Sequence, residues 1–129
     1  MGDSLERLHA AVIAAQNADP ESSRTARLLR AGHSKMAKKV AEEAIEVALD
    51  AMHGNRGAVV RESADLLYNL VVLWVASGVE PADVWEEMDR RERLFGIAEK
   101  LLKESAEQKA RRNVAAIDDR PIRKRRQGA

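Results

Sequence analysis

The chain contains no cysteine. No disulfide framework and no thiolate metal site is therefore possible, and a cytoplasmic setting is expected. Aromatic residues make up only 3% of the sequence. With Ala, Leu, Glu, Lys and Arg abundant, that scarcity turns local propensity toward helix and away from strand. Long hydrophobic runs are also missing. The longest, residues 70–76, is far below the ~20 residues of a membrane span, so no membrane partner is expected. The first residues show no basic segment followed by an apolar one, and no secretory leader is expected there.

What is present is a charged helical chain. The 129 residues are 45% hydrophobic and 33% charged, too apolar for a disordered polypeptide and of a length that suits one domain. The net charge of +1 hides an asymmetry: residues 111–129 carry +5 and residues 1–110 carry −4. The expected organisation is an all-α domain over 1–110 and a basic, flexible C-terminal tail over 111–129. That tail has no interleaved aromatics, so it reads as a solvated end and not as a nucleic-acid reader.

Periodicity predicts the helices. Leu5, Leu8, Val12 and Ala15 recur at helical spacing, predicting a helix over 4–17 with Ser4 as its cap, broken at Asp19-Pro20. A short helix over 25–30 stops at Gly32. The next runs over 34–53, with Ser34 as cap and Gly54-Asn55 as stop. It carries an apolar stripe, Met36, Val40, Ala44 and Val47, and a polar face, Lys39, Glu43, Glu46 and Asp50. A helix over 57–77 is apolar nearly all round between 64 and 76, the mark of a central position. Pro81 opens a last helix to about residue 112, which Gly96 is expected to kink or split. The fold class is all-α, a four- to five-helix bundle.

The chemistry lies in where the carboxylates fall. Glu62, Asp65 and Asn69 share one face of the most apolar helix. A carboxylate there is unfavourable unless paired or metal-bound. The preceding helix offers Glu42, Glu43 and Glu46. Antiparallel packing of the two would bring Glu43, Glu46, Glu62 and Asp65 to one groove. Carboxylates alone suit Mg²⁺, a hard ion that completes its shell with water and substrate phosphate. No Ser–His–Asp or Cys–His arrangement is evident, so metal-assisted hydrolysis is the reaction class implied. The plainer alternative is a solvated face salt-bridged to Lys38, Lys39 or Arg61. Tyr68, Trp74 and Trp85 are expected in the core, and His9, His33 and His53 are given no role.

Ser23-Arg24-Thr25-Ala26-Arg27-Leu28-Leu29, then Gly32, Lys35 and Lys39, then Glu42-Glu43-Ala44-Ile45-Glu46, then Glu62-Ser63-Ala64-Asp65-Leu66-Leu67-Tyr68, resembles the phosphoribosyl-ATP pyrophosphohydrolases of histidine biosynthesis. Gly78-Val79, Asp83-Val84 and Arg90-Arg91 continue the likeness. The Glu-Glu-x-x-Glu and Glu-x-x-Asp pair is shared with the wider MazG-like all-α nucleotide pyrophosphatases. The resemblance implies a homodimer that hydrolyses phosphoribosyl-ATP to phosphoribosyl-AMP and pyrophosphate. It implies Glu43, Glu46, Glu62 and Asp65 as Mg²⁺ ligands, and Glu42 as a further ligand or the base that orients water. Lys35 and Lys39 would meet phosphate, and Ser23, Thr25 and Arg27 would close over the substrate. Arg24, Ala41 and Asn69 depart from the family's usual aromatic, Gly and His. Two other functions are compatible with the residues: a MazG-type house-cleaning (deoxy)nucleoside triphosphate pyrophosphatase, and a non-enzymatic helical dimer module whose tail binds nucleic acid.

Overall fold

The computed structural model of the chain describes residues 2–117. Among them are five α-helices and no strand: α1 (Gly2–Ala15), α2 (Arg24–Ala31), α3 (His33–Met52), α4 (Arg56–Ala76) and α5 (Pro81–Ile117). The chain divides after Glu86 into two units. The first holds α1 to α4 and the first turn of α5. The second holds the remainder of α5.

The first unit is organised by the hairpin of α3 and α4, which pack along each other. Its turn is set by Gly54 at φ 70, a left-handed conformation that glycine adopts without a Cβ penalty. Asn55 then caps α4, its Oδ1 accepting from the Ala58 N–H at 3.1 Å. At the far end of the hairpin, the His33 Nε2–H donates to the Ala76 carbonyl at 2.9 Å, tying the start of α3 to the end of α4.

The core gathers at that same far end. Val12 of α1, Leu28 of α2, Met36 of α3, and Val71, Val72 and Val75 of α4 form one buried cluster. Leu5, Leu8, Tyr68 and Trp74 pack against it. Trp74 and Trp85 meet edge to face with centroids 6.4 Å apart, and the Trp85 indole N–H donates to Glu6 Oε1 at 3.2 Å. The expected core placing of Tyr68 and Trp74 matches this packing. Burying one such side chain stabilises by about 1.5–3 kcal/mol. The N-terminal half of α4, which carries Glu62 and Asp65, extends past the core.

Several local expectations are corrected. Ser4 does not cap α1, because the helix starts at Gly2; its Oγ accepts from Arg7 Nη2 at 3.2 Å instead. Ser34 does not cap α3. Only Gly32, at φ 97, separates α2 from α3, and the helix begins at His33 without a side-chain cap. Gly96 does not split α5, which runs unbroken through it. The residues around it are strong helix formers, and in the second unit Glu87 grips Arg90 and Arg91 one turn on at 2.6 and 3.0 Å. α5 also extends to Ile117, beyond the expected end near residue 112. Of the proposed tail, 111–117 is helical, and 118–129 lies outside the described residues. No described helix is long and apolar enough to cross a membrane.

Candidate metal and phosphate site

Across the α3–α4 groove, Glu43, Glu62 and Asp65 each bring a carboxylate oxygen within 4.8 Å of the others. Glu62 and Asp65 are three residues apart and so share a face of α4. Glu43 meets them because α3 runs antiparallel beside it. Glu43 and Glu62 are half-buried, and Asp65 is exposed. The exposure of Asp65 runs against the expectation of a buried carboxylate on a central helix. Val60, Ala64 and Leu67 of the same helix are exposed too.

No lysine or arginine neutralises the group: the ion pairs among the described residues are Lys38–Glu42, Arg90–Glu87 and Arg91–Glu87. Glu43 Oε2 is buried with no hydrogen-bond partner, a condition that calls for a cation or a proton. Glu46 is exposed and lies against Glu62. That carboxyl, by hydrogen bonding and by charge repulsion, pushes the Glu46 pKa above the ordinary carboxylate range. The donors are all carboxylate oxygens, with no nitrogen or sulfur among them. The set fits a hard divalent cation.

Glu42 is not brought into this cluster. One residue from Glu43 means about 100° around the helix, and its Oε1 lies 3.8 Å from Lys38 Nζ. It lines a groove of about 490 Å³ with Ser34, Lys35, Lys38 and Lys39. Glu42 thus stands on a salt-bridged side of α3, whereas Glu43, Glu62 and Asp65 form no ion pair among the described residues.

Beside the carboxylates lies a cleft between α2 and α3 of about 250 Å³, lined by Arg24, Arg27, Leu28, Ala31, Lys35 and Lys39. Lys39 is one turn from Glu43, so the basic and acidic sites adjoin. Arg27 lines the cleft, and its Nη1 also donates to the Pro20 carbonyl at 3.1 Å. Ser23 and Thr25 are held within the fold. Ser23 Oγ caps α2, accepting from the Ala26 N–H at 3.1 Å. The Thr25 and Tyr68 hydroxyls are hydrogen-bonded at 2.6 Å.

Two residues with a place here were not among the sequence-level site residues. Arg24 lines the cleft, and its signal was its i,i+3 spacing from Arg27 on one face of α2. Asn69 is only 3% exposed. Its Nδ2 donates to the Asp65 carbonyl at 2.8 Å, and its Oδ1 is buried without a partner.

Carboxylates from two antiparallel helices, next to a cation-lined cleft in an all-α frame, are consistent with the class of all-α nucleotide pyrophosphohydrolases. The sequence pattern of the family described as "Phosphoribosyl-ATP pyrophosphohydrolase" matches residues 5–92. A "Phosphoribosyl-ATP pyrophosphatase 2" of Bradyrhizobium diazoefficiens is 59% identical, over 97% of this chain and 99% of the relative. One of the same description from Rhodopseudomonas palustris is 60% identical, over 98% and 100%. A "Phosphoribosyl-ATP pyrophosphatase" of Azospirillum brasilense is 52% identical, over 78% and 91%. The chain belongs to the phosphoribosyl-ATP pyrophosphohydrolase family.

Proposed function

We propose that this protein hydrolyses phosphoribosyl-ATP to phosphoribosyl-AMP and pyrophosphate, a step of histidine biosynthesis carried out in the cytoplasm. One observation carries the reading: the unneutralised carboxylates Glu43, Glu62 and Asp65 adjoin a cleft of four cationic side chains. A polyphosphate with its divalent cation is complementary to both. The names of the relatives supply the substrate.

In this reading Glu43, Glu62 and Asp65, with Glu46 at their edge, hold Mg²⁺. Bound there, the ion supplies neutralisation of phosphate charge and a lowered pKa for the attacking water. Lys39 and Lys35 meet the phosphate oxygens, and Arg27 extends the positive surface. Ser23 and Thr25 act by fixing α2 over the cleft. Glu42 serves at the rim to orient the water and take its proton, for which it turns away from Lys38. Water attacks phosphorus in line, and pyrophosphate departs with the bridging oxygen.

The active form in this reading is a homodimer. Ile45, Leu49 and Met52 fall at i, i+4 and i+7 on α3, and Val60 and Leu67 at i and i+7 on α4; all five are exposed, Met52 to 82%. Met36, Val40, Glu43 and Val47 form the buried and half-buried side of α3, and this exposed apolar face lies on the opposite side of the helix. A second copy would cover it.

The test is pyrophosphate release with Mg²⁺ from phosphoribosyl-ATP beside a panel of nucleoside triphosphates at equal concentration. A clear preference for phosphoribosyl-ATP is expected. Preference for a plain triphosphate would move the protein to house-cleaning chemistry on the same carboxylates. No release from any substrate would remove the enzymatic reading.

A further inference from the structure

Phosphoribosyl-ATP differs from ATP by a ribose 5-phosphate arm, so it carries a second anionic group away from the triphosphate. The carboxylate cluster accounts for the triphosphate end alone. Along α3, Lys39 is about 6 Å from Glu43 and Lys35 about 12 Å, at 1.5 Å per residue. A triphosphate anchored at the carboxylates therefore meets Lys39 first. Lys35 lies a further turn out, where the wall of the cleft is supplied by Arg24 and Arg27.

Four cations line this cleft and no carboxylate does. None of the four is ion-paired among the described residues. Gathered like charges repel unless an anion joins them, and a phosphomonoester carries about −1.5 to −2 at pH 7. Arg24 is held in place for such a role. Its guanidinium carbon lies 5.9 Å from the Tyr68 ring centroid, within range for a cation–π contact. Tyr68 is itself fixed by the 2.6 Å bond of its hydroxyl to Thr25. A guanidinium stacked in this way keeps its N–H edge free for bidentate contact with phosphate oxygens.

We propose that the α2–α3 cleft is a phosphomonoester subsite, and that Arg24 sets the preference for a substrate bearing a phosphorylated ribose arm over a plain nucleoside triphosphate. The inference rests on the proposed function for the identity of the substrate and on the cleft for the site itself.

The experiment has two arms on the full chain. Calorimetric titration with ribose 5-phosphate in metal-free buffer, beside ribose and pyrophosphate, reads the subsite without turnover. Ribose 5-phosphate should bind and ribose should not. Arg24→Gln should weaken that binding about tenfold, the scale of one charge-assisted hydrogen bond, with Arg24→Lys recovering part of it. In the kinetic arm, Arg24→Gln should lower the kcat/KM ratio of phosphoribosyl-ATP to ATP about tenfold, mainly through KM.

An equal loss on both substrates would assign Arg24 to the triphosphate and overturn the proposal. So would ribose 5-phosphate binding no tighter than ribose. If the wild-type chain releases no pyrophosphate from phosphoribosyl-ATP while ribose 5-phosphate binding still depends on Arg24, the subsite stands and the proposed reaction falls.

Discussion

Asp65 combines exposure with a place in the carboxylate cluster, and this separates its chemical part from its structural one. Asp65→Asn keeps the shape and removes the charge. We expect turnover to fall about a thousandfold or more, since metal-held charge stabilisation is worth several kcal/mol, with helicity by circular dichroism unchanged. A mutant of near-normal activity would sink the ligand assignment. Glu46 gives a complementary test through pH. Its pKa is raised, first by the hydrogen bond with Glu62 and then by their repulsion. The folded state thus binds a proton more tightly than the unfolded state does, so metal-free stability falls as pH rises above about 4.5 toward the raised pKa. Glu87, lowered to about 2 by Arg90 and Arg91, acts oppositely, its contribution fading as pH drops from 4.5 toward that value. Thermal unfolding with a chelator should show Tm declining through the range just above 4.5. Mg²⁺ or Glu46→Gln should flatten that decline; an identical decline in wild type and Glu46→Gln would show that Glu46 is not its source.

Helix α2 is eight residues long, too short to persist alone in water. What fixes it is the Ser23 cap, the bond of Thr25 to Tyr68, and burial of Ala26 and Leu28. Ser23→Ala should lower stability by about 1 kcal/mol, read from urea unfolding, while Ser23→Asn should restore most of it; no change on Ser23→Ala would mean that the cap bond contributes nothing. The same short segment shows what a one-dimensional pattern conveys. The breaks at Gly32, Gly54-Asn55 and Pro81 were legible because those residues punctuate a chain by their own backbone chemistry. The caps at Ser4 and Ser34 were misread, since which of several adjacent residues turns first depends on how the helix docks. Of the carboxylates, Glu62 and Asp65 could be paired by their spacing of three. Separating Glu43 from Glu42 needed the rotational phase of α3 against α4. Arg24 went unassigned for the same reason, since its face acquires meaning only when Lys35 and Lys39 stand across from it.

The described residues bury little among themselves. The fully buried side chains of the first unit are few, and the helix that is most apolar all round leaves Val60 and Leu67 open to solvent. An interior helix pattern that is half exposed in one copy is resolved when a second copy supplies the missing layer. Leu49, at the middle of the Ile45–Met52 stripe, is then the sensitive position. Leu49→Glu places a charge where the proposed interface would exclude water, and we expect dimer dissociation to weaken affinity by about 3 kcal/mol, roughly two orders of magnitude in Kd. Sedimentation velocity should show dimer giving way to monomer, and the wild-type Tm should rise with protein concentration while that of the mutant does not. A monomeric wild type with full activity would leave the apolar stripe to some other partner.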